Sequence, residues 1–193
     1  MKYYENIKNS IEFIFCLILL MLAVPICILA CIAIYIELRV NPIYTQKRVG
    51  LNGRVFKIYK LRSMYIDAEK DGPKWASEND ERITKVGRII RKTRIDELPQ
   101  LVNILKCDMS FIGPRPERPE LIKEFLKSIP DFNDRLLVKP GITGWAQVNG
   151  GYSLTPKEKL EFDKYYIQNR GFKLDLLILL KTIIVIFTRH GAR

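Results

Sequence analysis

From Phe13 to Ile34 the chain carries no charged side chain, and Pro25 stands at the centre of this apolar run. A run of this length is enough to cross about 30 Å of hydrocarbon. The chain therefore reads as a membrane protein with one hydrophobic element and a basic body behind it. Three arrangements compete. A cleaved export signal is disfavoured: although Ile28-Leu29-Ala30-Cys31 faintly resembles a lipobox, the basic cluster follows the run, and positive charge marks the side that stays inside. A single spanning helix is the second. The third is a re-entrant hairpin that enters one leaflet and returns. Proline removes a backbone donor and crowds the preceding turn, so Pro25 predicts a helix break at mid-depth and favours the hairpin. Spanning helices also tolerate proline; Lys2 and Lys8, ahead of the run, tilt the balance back to the hairpin.

The body is large enough for one domain with its own core. The net charge of +11 is unevenly placed. Leu38 to Ile66 has no acid and includes Arg39, Lys47, Arg48, Arg54, Lys57, Lys60 and Arg62. Such a stretch beside an apolar segment suits anionic headgroups, phosphates or both; a merely solvated basic face is the plainer alternative. Cys16, Cys27 and Cys31 lie in the run as small hydrophobes and Cys107 stands alone. The absence of CxxC or Cys/His spacing, with His190 as the only histidine, argues against a structural zinc site. Reduced thiols fit a cytosolic body.

Asn52-Gly53 between Tyr44–Val49 and Val55–Leu61 predicts a β-hairpin. Alternation puts Lys60 on the same face as Phe56 and Ile58, aimed at a site or snorkelling at the strand end. Residues 67–82, polar and holding Gly72-Pro73, predict a mobile loop. Ile83, Val86, Ile89 and Ile90 have helical spacing. Another helix is expected after Asp96-Glu97, with Asp96 as N-cap and Pro99 in the first turn. Leu121 to Ile129 predicts an amphipathic helix. Thr155-Pro156-Lys157-Glu158 is a capping box whose helix stops at Gly171. Leu174 to Phe187 is too short to span a bilayer and reads as a core or interfacial helix.

Three stretches concentrate chemistry. Asp96 and Glu97 lie beside Arg91 and Arg94, where cations attract phosphate and keep an aspartate ionised; the plain alternative is a cap and a helix-dipole partner. In Gly113-Pro114-Arg115-Pro116-Glu117-Arg118-Pro119, prolines leave the arginine little entropy to lose, which suits bidentate phosphate binding, or else they form a rigid turn. Lys139 to Gly151 is rich in glycine, which lets backbone approach a ligand closely. It has neither the P-loop nor the GxGxxG pattern.

Taken in order, these motifs resemble the bacterial sugar transferase family, the small monotopic phosphoglycosyl transferases. The likeness runs through the apolar run with Pro25, then YTQKRVGLNGRVFKIYKLRSM (44–64), TRIDELPQLVNIL (93–105), DMSFIGPRP (108–116), KPGITGWAQVNG (139–150) and LDLLILLKT (174–182). It implies an α+β fold: a membrane-embedded re-entrant helix over 1–38, broken at Pro25, then a mainly helical catalytic domain over 39–193 with a small β-hairpin and interfacial amphipathic helices. It implies transfer of a phosphosugar from a nucleotide sugar, usually of uridine, to a polyprenol phosphate with Mg2+, initiating a surface polysaccharide or glycoconjugate. Asp96 would be the nucleophile and a metal ligand, and Glu97 its assistant. Lys60, Arg91 and Arg115 would bind phosphate oxygens, while Pro114, Pro116 and Gln147 would line the substrate pocket. The expected place is the bacterial cytoplasmic membrane with the body on its cytosolic face. Nucleic acid is not an expected partner, and a homo-oligomer is left open.

The sequence departs from the family pattern at several places. Val24 precedes Pro25 where serine is common, so no hydroxyl can bond a carbonyl released by a bend. Lys8-Asn9-Ser10-Ile11-Glu12 has one cation fewer than the usual motif, Cys107 replaces glycine, and Gly151 replaces a common arginine. Two other functions compete. A glycosyltransferase that moves sugar without phosphate would usually carry an Asp-x-Asp triplet, which is absent here. A membrane-tethered module for anionic polymers would leave the carboxylate pair without a role.

Overall fold

The computed structural model describes residues 2–70, 72 and 80–188. Half of the loop expected over 67–82 lies outside the described residues, as does His190; its start is a short 3-10 turn, Ile66–Glu69. The apolar run belongs to one continuous helix, α1 (Lys2–Leu38), with Pro25 inside it. No loop separates two arms at Pro25, so a re-entrant course would have to come from a bend within the helix. An internal proline costs a helix about 3 kcal/mol. Here that cost is set against burial along a stripe of α1, where Cys16 and Ile34 are 0% exposed and Ala23 is 4% exposed. Cys16 comes close enough for its thiol to donate to the Leu101 carbonyl at 3.2 Å. The opposite face is bare, with Met21 77% and Leu29 69% exposed.

Both ends of α1 are fastened to the body. Near its start, Lys8 Nζ reaches Asp175 Oδ2 at 3.2 Å, the Tyr166 hydroxyl at 2.8 Å and the Ile112 carbonyl at 3.1 Å. One turn on, Glu12 Oε1 accepts from Ser110 Oγ at 2.6 Å and from the Phe111 amide at 3.2 Å. At the far end, Glu37 accepts from the backbone amides of Lys85 and Val86 at 2.8 and 3.0 Å. Those amides open α2 (Lys85–Lys92). They are among the unpaired donors of any helix start, and Glu37 also complements the helix dipole.

The hairpin forms as its alternation predicts. β1 (Ile43–Val49) and β2 (Val55–Leu61) pair antiparallel from Val49 opposite Val55 to Ile43 opposite Leu61. The turn residues Asn52 and Gly53 have φ of 53° and 79°, conformations that these two residue types tolerate. Phe56 and Ile58 are buried against α1 and α3 (Leu101–Leu105). The outer edge of β2 is covered by a side chain: Asn103, fully buried, donates to the Lys57 carbonyl at 2.8 Å and accepts from the Tyr59 amide at 3.1 Å. Its amide group does what a third strand would do.

Two three-residue strands, β3 (Ser110–Ile112) and β4 (Gly141–Thr143), pair in parallel. A Cβ on Gly141 would lie 2.1 Å from the Gly113 nitrogen. Here glycine serves the approach of backbone to backbone, where the sequence suggested approach to a ligand. Between the strands lies α4 (Pro119–Phe125), and after them come α5 (Trp145–Asn149), α6 (Pro156–Asn169) and α7 (Phe172–Thr188). The capping box forms in full, with the Glu158 amide donating to Thr155 Oγ1 at 3.3 Å. The helix α7 leaves Leu176, Leu180 and Ile184 more than half exposed.

Candidate active site

Asp96 and Glu97 sit in a 3-10 turn, Ile95–Gln100, that joins α2 to α3. Arg94 precedes the turn with φ 60°, a left-handed conformation that swings the chain out of α2. Asp96 is thus inside the turn and makes no side-chain cap, which corrects the expected N-cap. Both carboxylates are buried, at 8% and 9% exposure.

Two cations from distant parts of the chain converge on Glu97. Lys60, on the inward face of β2, reaches Oε1 at 3.1 Å, and Arg115 reaches the same oxygen at 2.6 Å through Nη2. Arg115 Nη1 adds a longer contact to Oε2 at 3.5 Å. Among the described residues no side chain lies within ion-pairing distance of Asp96. The two acids therefore titrate apart. Burial pushes both up. For Glu97 the charges of Arg115 and Lys60 outweigh burial and hold it well below the usual carboxylate range. For Asp96, burial and the neighbouring Glu97 charge prevail over Lys60, Arg91 and Arg94, and its pKa rises to about 6. The sequence expectation that arginines hold Asp96 low is thus met by its neighbour instead.

Glu97 and Arg115 open onto a cleft of about 480 Å³ between α1 and α7. One end is apolar, walled by Phe15, Leu19, Leu22 and Ile26 of α1 and by Leu179, Val185 and Ile186 of α7. The other end gathers Arg94, Arg135 and Lys159 around Glu97, Arg115 and Glu117. Gln147 lines it too; its Nε2 is 3.5 Å from the Gly113 carbonyl, and its buried Oε1 has no hydrogen bond among the described residues. Asp96 and Lys60 flank this wall without being part of it. Arg91 acts on Asp96 through charge and is likewise outside the lining. Pro114 and Pro116 are packed inside, against the end of the hairpin and the 136–140 segment, around a cavity of about 10 Å³. They fix Arg115 and do not wall the large cleft.

Arg94 was singled out from sequence beside the carboxylate pair; Glu117, Arg135, Lys159 and Asp163 were not. One signal was present: Leu160, Asp163 and Tyr166 are the buried residues of α6 and follow helical spacing. An acid on an apolar stripe needs a partner.

An amphipathic cleft with cations at its polar end, beside a buried carboxylate pair, has the chemistry to hold an apolar molecule that carries phosphate. The family model of the bacterial sugar transferases matches residues 3–189, and the chain belongs to that family. It is 44% identical over 193 residues to the UDP-N-acetylgalactosamine-undecaprenyl-phosphate N-acetylgalactosaminephosphotransferase of Aeromonas hydrophila, covering 98% of this chain and 46% of that protein. It is 35% identical to the UDP-glucose:undecaprenyl-phosphate glucose-1-phosphate transferase of Escherichia coli, over 96% of this chain and 41% of that one. A Caulobacter vibrioides protein with the same name is 37% identical over 96% of this chain and 71% of its own length. The chain thus spans about half the length of the first two relatives.

Proposed function

We propose that the chain transfers a phosphosugar from a nucleoside diphosphate sugar, with uridine as the base, to a polyprenol phosphate such as undecaprenyl phosphate. This step would initiate a surface polysaccharide or glycoconjugate. The observation that carries the reading is a buried carboxylate pair, one member held ionised by Lys60 and Arg115 and the other without an ion partner among the described residues, beside an amphipathic cleft. The names of the relatives, each a phosphotransferase or phosphate transferase on undecaprenyl phosphate, support the substrate classes.

In the first half-reaction an Asp96 oxygen attacks the sugar-linked phosphorus. The bond from that phosphorus to the nucleoside monophosphate breaks, leaving an aspartyl phosphosugar. In the second, an oxygen of the acceptor phosphate attacks the same phosphorus and releases the Asp96 carboxylate. Arg115 and Lys60 neutralise phosphate charge as it shifts between oxygens, a preset stabilisation that needs no reorganisation. Glu97 keeps those cations in place.

The donor set fits Mg2+. Among the described residues no group of three or more acids, cysteines or histidines could cage an ion, and Mg2+ usually takes one or two carboxylates with substrate phosphates and water. Asp96 would hold it, since Glu97 is engaged by Lys60 and Arg115. Bound there, the ion would supply charge to offset the repulsion between carboxylate and phosphate.

The apolar helix enters one leaflet from the cytosolic face of the bacterial inner membrane and returns, a re-entrant seating around Pro25. Its two ends support this, because Lys8 and Glu37 are both tied to one body. A straight crossing would put that body on both sides of the bilayer.

Two measurements test these points. Incubation with a matching UDP-sugar and Mg2+, without lipid, is expected to release about one equivalent of nucleoside monophosphate, and Asp96→Asn to abolish it. A full burst from the asparagine variant would sink the nucleophile assignment. A cysteine placed at Lys2 is expected to resist an impermeant thiol reagent in intact cells, in a background where the native cysteines are replaced. Labelling there would replace the re-entrant seating with a spanning helix.

A further inference from the structure

The loop that carries Arg115 has prolines at 114, 116 and 119, so its backbone has few donors and is held through its carbonyls. Four consecutive carbonyls each meet a donor from elsewhere in the chain. That of Pro114 accepts from the Gly141 amide at 2.9 Å and that of Glu117 from the Val49 amide at 3.0 Å. The other two are held by side chains: Arg48 Nη1 donates to the Pro116 carbonyl, and Arg135 Nη2 to the carbonyl of Arg115 itself, both at 2.9 Å.

Arg135 is 3% exposed and is gripped in turn by Asp163 of α6, 1% exposed, through Nε at 3.0 Å and Nη2 at 2.7 Å. Its third nitrogen faces Glu117 Oε1 at 3.8 Å. One planar guanidinium therefore joins α6 to the backbone that bears Arg115, and it does so at the polar end of the cleft. A buried ion pair is rarely a net gain in stability over apolar residues of similar size. Fold stability alone is thus a weak reason for Arg135 and Asp163 to be there.

We propose that Arg135 and Asp163 are positioning residues for the transfer reaction: through the Arg115 carbonyl they aim the Arg115 guanidinium at Glu97 and the phosphate. The inference rests on the transferase reading above. Misplacing a catalytic group by about 1 Å can cost on the order of a hundredfold in rate.

The test uses the full chain in lipid nanodiscs and the single-turnover release of nucleoside monophosphate. Arg135→Met with Asp163→Leu removes both charges and leaves Glu117 its contact with Arg48. The release rate is expected to fall roughly ten- to a hundredfold, with the thermal midpoint largely kept. Placed on Arg115→Met, read over longer times, the same pair is expected to cause no further fall. Wild-type release from the double variant, or an equal fall on the Arg115→Met background, would overturn the positioning role. Should the double variant fail to fold, Arg135→Lys takes its place. An ammonium can pair with Asp163 but lacks the fork to hold the carbonyl as well, so an intermediate fall, again absent on Arg115→Met, is expected. If the unmodified chain shows no release with any of a panel of nucleotide sugars, the transferase reading fails and the positioning role with it.

Discussion

Asp96 and Glu97 are adjacent in sequence and chemically identical but for one methylene, yet they do not titrate alike. The difference is geometric: Lys60 and Arg115 reach Glu97, and only longer-range charge reaches Asp96. The sign of the consequence follows. Asp96 is raised to about 6, so its ionised form, the one proposed to attack, predominates above that value and is lost as pH falls through it. Glu97 lies well below and does not titrate in that window. In the Mg2+-free chain the Asp96 carboxyl is therefore expected to titrate near pH 6 while Glu97 stays ionised. Carbon-13 NMR of the labelled carboxyls checks this; an Asp96 still mostly ionised at about pH 5 would contradict it. At this scale the sequence was legible where a local pattern existed. Alternation brought Lys60 onto the apolar face and the prolines marked Arg115. Nothing local could say which acid the two cations would choose.

The helix α6 shows what one element carries beyond its own stability. Asp163 grips Arg135, and one turn later the Tyr166 hydroxyl meets Asp175 and Lys8, with burial and the Asp175 charge pushing that phenol up. The capping box that starts this helix was readable as a four-residue pattern and forms as read. Thr155→Ala is expected to cost about 1 kcal/mol, seen as a lower midpoint in thermal unfolding followed by circular dichroism; an unchanged midpoint would show the cap to be idle. Other elements were less legible for definite reasons. β3 and β4 are three residues each, too short for any period, and they pair across Gly113 and Gly141 only because neither has a Cβ. Cys107, where glycine was expected from the family pattern, has φ 59°, so the backbone conformation persists without the residue type that suits it. Pro25 was legible as a defect, but whether a helix bends or stays continuous depends on what its flanks bury.

At the scale of the molecule, the apolar helix is a wall as well as an anchor. One stripe of α1 is packed on the body, the bare face is turned outward, and Phe15, Leu19, Leu22 and Ile26 close one side of the cleft. The long-range fastenings through Lys8, Glu12 and Glu37 were not readable from sequence, because their partners are dozens of residues or more away. They have a kinetic consequence. On the proposed reading, an acceptor confined to the lipid layer would meet this wall by lateral diffusion, so encounter would depend on molecules per unit area and not on molecules per unit volume. Holding the total amount of polyprenol phosphate constant while adding inert phospholipid is expected to slow the second half-reaction in proportion to the acceptor's mole fraction. A rate that follows bulk concentration alone would show that the acceptor arrives from solution. In that sense α1, seated as proposed, would lower the dimension of the search: it would turn a problem of finding a lipid in a volume into one of finding it on a surface.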